Sequence, residues 1–190
     1  MIQARHRSLG LTSFLRLRKY IGILGLTFPF QALLIAGYLQ SISATYYNHT
    51  FQPYFIANLA CIGLFLFADK GYDIKDIIAN RIAGICALLV AFNPCYSSNW
   101  QVHDIGAIVL FITLGIISCF LFTQTNGNIT AEKILRNDIY KTCGIIIFGC
   151  IPFIVIFSIL GFDIFIPESI CLVSFGISWL IKGNTFFCDK

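Results

Sequence analysis

The feature that most limits how this chain can fold is an alternation. Six long, mainly apolar stretches are separated by short polar segments, and the cations fall in every second segment. The apolar stretches cover about residues 20–40, 53–68, 74–92, 102–122, 139–160 and 167–182. A helix needs about 17–25 residues to cross the ~30 Å hydrocarbon core of a bilayer, and most of these stretches reach that length. In hydrocarbon no water is present to bond the backbone, so a spanning segment has to satisfy its own amides as a helix. Composition agrees: 57% of residues are hydrophobic and 12% charged, against about 45–50% and about 25% in a soluble domain. The expected fold is an all-α membrane protein, a six-transmembrane-helix bundle forming one domain over residues 1–190.

The cations set the expected orientation. With six spans and the N-terminus inside, the cytoplasmic segments are 1–20, 69–76, 123–140 and 182–190. All 13 Lys and Arg lie in these segments or, for Arg81 and Lys141, just inside the adjoining helix ends. Cytoplasmic loops carry an excess of Lys and Arg, so both termini are expected to be cytoplasmic. The net charge of +4 does not come from a basic patch with interleaved aromatics, which argues against a nucleic-acid partner.

The first 19 residues form a basic arm, with Arg5, Arg7, Arg16, Arg18 and Lys19 among leucines. It is either an amphipathic helix on the cytoplasmic surface or a loose arm. The apolar run that follows exceeds the 7–15 residues of a signal-peptide core, so it reads as an uncleaved span. Pro29 and Pro152 are expected to kink spans one and five. A short surface helix is expected over 131–137, and Ser98 or Asn99 as the cap of span four. Ala79, Ala83, Ala87 and Ala91 recur every four residues, a small-residue stripe for close helix packing. Arg81 is expected to snorkel or to pair with Asp69 or Asp73. Most of the eight cysteines lie in apolar runs without C-x-x-C spacing and read as small buried side chains. Cys95, in a loop, has no evident partner.

The stretch Ser41–Thr50 collects hydroxyls, two tyrosines, an amide and His49 at the outer end of span one. His103 and Asp104 open span four and Glu168 opens span six, at the same expected depth. Two imidazoles and a carboxylate suffice for a zinc site with an open position, so His49, His103, Asp104 and Glu168 are the candidate metal ligands. The plainer reading is an interfacial belt, in which Tyr46, Tyr47, Tyr54, Tyr96 and Trp100 anchor the bundle and the histidines bond to backbone carbonyls. No G-x-S-x-G, phosphate loop or H-E-x-x-H is present.

Several phrases together resemble a family of small uncharacterised six-span bacterial inner-membrane proteins. They are Gly37-Tyr38-Leu39-Gln40-Ser41-Ile42-Ser43-Ala44, Gly63-Leu64-Phe65-Leu66-Phe67, Lys70-Gly71-Tyr72-Asp73, Asn80-Arg81-Ile82-Ala83-Gly84, and Phe175-Gly176-Ile177-Ser178-Trp179-Leu180-Ile181-Lys182-Gly183. The resemblance implies an inner-membrane location and no particular activity. At Ser41–Thr50 alone the chain also resembles a motif of the alkaline ceramidase and adiponectin/progestin receptor superfamily of intramembrane hydrolases. There the serine stands four residues before the histidine; here that position is Thr45, with Ser43 six before His49, and no H-x-x-x-H pair follows.

The expected function is that of a multi-pass binding or accessory protein of the inner membrane, without a cofactor. Its expected partners are membrane lipids, with a second membrane protein or another copy of the chain beside them. The alternatives are a zinc-dependent lipid hydrolase with its site at the outer face, and a small-molecule transporter with a polar cavity near Asn58, Ser174 and Ser178. The orientation has a direct check. In intact cells a membrane-impermeant maleimide should label a thiol introduced at Asn99 and leave one at Asn128 unlabelled; the opposite pattern would invert the topology.

Overall fold

The computed structural model describes the backbone of residues 2–69, 71, 73–95, 101–125 and 130–185, and side chains from residue 14 onward. Among the described residues there are six α-helices and no strand: α1 Ile2–Ala36, α2 Gln52–Ala68, α3 Ile74–Phe92, α4 Val102–Ile116, α5 Ala131–Leu160 and α6 Phe165–Lys182. A turn of 3-10 helix, Ser43–Tyr47, lies between α1 and α2, and α4 runs on into a π-helical turn, Ile117–Leu121. Four helical segments are long and apolar enough to cross a membrane: Phe14–Ala36, Val102–Leu121, Ala131–Leu160 and Phe165–Lys182. The apolar helix α2 is shorter, and α3 carries Lys75, Asp76 and Arg81.

The helix limits follow local chemistry. Gly37, at φ +82°, takes the left-handed conformation that ends α1 just past Ala36. Asp73 caps α3 by accepting from the Lys75 and Asp76 amides at 2.9 and 3.0 Å. Thr130 caps α5 by accepting from the Lys133 amide, and no breaker follows, so 131–137 is the first part of α5 and not a separate surface helix. The basic arm is likewise continuous with α1. Both prolines lie inside unbroken helices. The cap of α4 is Gln101, whose amide donates to Asp104 at 3.1 Å; Ser98 and Asn99 lie outside the described residues, as do Tyr96, Trp100 and the turn at 126–128.

Each helix packs on its neighbours in the chain, and α6 packs back on α1, so the six helices form a closed ring in chain order. Backbone proximity makes the tightest seams. A Cβ added at Gly176 of α6 would lie 2.4 Å from the Leu26 nitrogen of α1, and one at Gly84 of α3 would lie 2.7 Å from the Gly63 oxygen of α2. Small residues permit such approaches where apolar lipid provides no hydrophobic drive between helices. Ala83, Ala87 and Ala91 of the stripe are fully buried. Phe28, Phe55, Phe111, Phe175 and Trp179 fill the interior.

At one end of the ring a buried ion pair ties α1 to the α2–α3 connection. The Arg18 guanidinium meets Asp69 through two contacts of 3.2 Å, and Asn80 of α3 donates to the same carboxylate at 2.9 Å. Asp69 therefore pairs with Arg18 and not with Arg81, whose guanidinium lies 5.7 Å from the Phe67 ring centre. Arg18 is 5% exposed and Asp69 2%. Removing one partner of such a pair leaves an uncompensated buried charge, which costs about 3–5 kcal/mol. Asp69→Ala should lower unfolding stability in detergent by that amount; a change below about 1 kcal/mol, the range of exposed pairs, would show that the pair is solvated.

Candidate functional site

The opposite end of the ring gathers the α1–α2, α3–α4 and α5–α6 connections. Gln40 joins the first to the third: its carbonyl accepts from the Ile164 and Phe165 amides at 2.7 and 3.1 Å, and its side chain donates to the Gly161 carbonyl. Glu168, in the first turn of α6, is buried and accepts from the Ile42 amide at 2.7 Å. These bonds hold the 3-10 turn that begins at Ser43. The turn is locked further by the Thr45 hydroxyl, which donates to the Ile42 carbonyl, and by the Ala44 amide, which donates to Ser41 Oγ.

His103 reaches the turn from α4. It is 1% exposed. Its Nδ1 lies 2.6 Å from the Asn93 carbonyl oxygen and its Nε2 lies 2.9 Å from Ser43 Oγ. A carbonyl can only accept, so Nδ1 carries the hydrogen, and in the neutral ring Nε2 accepts from the serine hydroxyl. This proton placement follows from the partners. Asp104, the next residue, is committed to the helix cap. Cys95 reaches the same turn, with Sγ 3.4 Å from the Ser43 carbonyl oxygen, and its own carbonyl accepts from the Tyr47 hydroxyl. The loop cysteine without an evident partner in the sequence thus braces the site.

These groups form one wall of a cavity of about 550 Å³. Ser43, Tyr47, Cys95, His103, Asp104 and Glu168 supply polar lining, while Ala107, Ile108 and Phe111 of α4 and Ile154, Val155 and Ile159 of α5 supply an apolar side. Past Pro152, α5 is largely exposed, with Phe153, Ile156, Ile159 and Leu160 all more than half accessible, so this side of the cavity borders the outer surface of the bundle. A smaller space of about 30 Å³, lined by Phe28, Phe55 and Leu172 among others, adjoins it beneath Ser43 and Glu168.

The four candidate zinc ligands are brought together only in part. His103, Asp104 and Glu168 line the cavity. His49 is exposed, in the connection ahead of α2, and does not line it. Its neighbour Asn48 closes a turn just ahead of that helix by accepting from the Thr50 and Phe51 amides at 3.0 and 3.1 Å. Among the described residues no group of three His, Cys, Asp or Glu side chains is arranged to hold a metal ion. The polar residues expected along a transport path are engaged elsewhere: Asn58 donates to Gln31 at 3.1 Å, Ser118 to Ser178 at 3.0 Å, and neither these nor Ser174 line the large cavity. Sequence reasoning set Ser43 six residues before His49 and did not pair it with His103; it also missed the Asn93 carbonyl and the Ile42 amide, because main-chain groups leave no signature in residue type.

No family model matches the chain, and neither a similar curated protein nor a similar solved structure was found.

Burial, followed by the charges of Glu168 and Asp104, pushes the Cys95 thiol up to about 11 from an ordinary 9.0. Only the thiolate is nucleophilic, so a rise of two units removes about 99% of it near pH 8. Iodoacetamide should alkylate Cys95 about 100-fold more slowly in the folded protein than in urea, followed by peptide mass spectrometry. Equal rates would mean that the thiol is not held in the wall of the cavity.

Proposed function

We propose that this chain is a six-span protein of the bacterial inner membrane, with both termini cytoplasmic, that binds an amphiphile in the cavity beside Ser43 and His103. The segregation of all Lys and Arg to alternate segments supports the orientation. The up-and-down ring supports it as well, since Arg18, Lys133 and Lys182 share one end with Asp69 and the Phe122 carbonyl. In this orientation the cavity lies at the outer face, at the depth of lipid headgroups.

The observation that carries the binding reading is the two-sided lining. A volume of about 550 Å³ falls within the ~300–1,000 Å³ of small-molecule sites. One side offers an imidazole, hydroxyls and carboxylates; the other offers branched aliphatic and aromatic side chains and borders the lipid. A ligand with a polar head and an alkyl tail satisfies both, with its tail entering past α5 from the membrane. The partner is thus a lipid or lipid-like molecule. Binding is favoured over a zinc-dependent hydrolase because His49 stands apart from the cavity, and over transport because the buried Asn58 and Ser178 are bonded to other side chains away from it.

Ala107 lines both the cavity and the space beneath it. A tryptophan there would occupy the ligand's volume. Ala107→Trp should weaken binding of a fluorescent long-chain amphiphile at least tenfold, about 1.4 kcal/mol, as measured by titration in nanodiscs. Undiminished binding by the folded variant would move the ligand elsewhere.

A further inference from the structure

We propose that Ser43 and His103 form a nucleophile–base pair that takes the acyl group of an ester-linked amphiphile, by a route that needs no metal. The inference rests on the binding reading above and adds a reaction to it. Three observations support it together. The first is the tautomer: the Asn93 carbonyl at 2.6 Å fixes the hydrogen on Nδ1, which leaves the Nε2 lone pair facing the Ser43 hydroxyl at 2.9 Å. That is the hydrogen-bond distance and proton arrangement a serine nucleophile requires of its base. The second is rigidity. The imidazole is held at both nitrogens and is 1% exposed, and the serine leads a turn tied down at Ile42, Ala44 and Thr45. The third is access. Both residues face a cavity large enough for an ester head group with part of an alkyl chain, and its apolar side selects for that chain.

The step balances without a further reagent than water. Ser43 Oγ bonds to the ester carbonyl carbon as its proton passes to His103 Nε2. The tetrahedral adduct breaks the carbon–oxygen bond to the alcohol, which leaves with the proton from Nε2. A water molecule, deprotonated by the same nitrogen, then attacks the acyl-serine and releases the fatty acid, restoring the serine. The imidazolium formed on the way shares the cavity with the Glu168 and Asp104 carboxylates, which favour its charge. Asn93 is a positioning residue through its main chain, the role an aspartate fills in a triad. The main-chain donors nearest the serine, the Ile42 and Ser43 N–H groups, are both occupied by Glu168. A missing oxyanion donor reduces turnover by about 10²–10³, so covalent capture is a more direct readout than steady-state hydrolysis.

The test uses the full chain in nanodiscs and a long-chain alkyl fluorophosphonate, which loses fluoride to an activated serine. Peptide mass spectrometry should find one adduct, on Ser43. Ser43→Ala should abolish it, and His103→Gln should slow its formation at least 100-fold, the usual contribution of a general base. The wild type should also bind a non-reactive alkyl phosphonate of equal chain length. An unlabelled wild type that still binds the non-reactive analogue would overturn the catalytic pair and leave the amphiphile site standing. Failure to bind either probe would overturn both. An adduct mapped to any other residue of the wild type also refutes the pair, and this readout does not depend on a variant that folds.

Discussion

The seam between α1 and α6 is the contact on which the rest depends. At Gly176 the two backbones approach so closely that a single methyl group would strike the Leu26 amide. Nothing in lipid pushes apolar helices together, so close van der Waals contact along such seams has to hold them. This seam joins the first helix to the last and closes the ring. It also sets the position of everything that leaves the far end of α1. Gln40 can meet Ile164 and Phe165, and Ile42 can meet Glu168, only because α1 arrives beside the start of α6. The 3-10 turn bearing Ser43 is therefore held by a contact made several turns away.

The two ends of the ring solve the problem of buried polarity differently. At the cation-bearing end, charge is compensated by pairing. Arg18 and Asp69 neutralise each other with Asn80 as a third partner. Lys133 and Lys182 both donate to the Phe122 carbonyl at 3.1 Å, just past the π turn, where the negative end of the helix dipole favours cations. Lys182 also lies 4.8 Å from the Phe122 ring centre, a cation–π distance. At the other end no cation is found among the described residues. The carboxylate of Glu168 is held there by a main-chain amide, and the polar groups surround open space. One end is a closed lock, and the other encloses a cavity of about 550 Å³.

Pro152 sits where the ring changes character. Up to it, α5 buries Tyr140, Cys143, Gly144 and Ile147; beyond it, only Ile154 is buried. A proline removes one ladder hydrogen bond and crowds the preceding turn, yet here the helix continues to Leu160. The segment past the proline has few inward contacts and forms the apolar side of the cavity. This is a local loss of packing at the rim of the cavity.

Much of this fold was legible in the residues, because the properties that decide it are local. The observed α2 and α3 lie within a residue of the apolar stretches expected, since an apolar run that satisfies its own backbone as a helix is a property of each segment separately. The alternation of ends followed from the cations for the same reason. The alanine stripe marked a buried face, and His103, Asp104 and Glu168 were expected at one level and do line one cavity. Apart from the surface helix expected over 131–137, which is continuous with α5, the misses were relations between segments. Arg81 was expected to snorkel or to pair with Asp69 or Asp73, but the partner of Asp69 is Arg18, 51 residues away. Cys95 showed no partner because its partner is a main-chain carbonyl. His49 stood near Ser43 in sequence, yet the 3-10 turn and the turn closed by Asn48 carry it to the surface while His103, 60 residues from Ser43, meets the serine. Apolar length, charge and helix period are sums over neighbouring residues and so can be read from the chain itself. Which two side chains meet depends on how helices cross, and that was decided only by the packing of glycine against backbone in three dimensions.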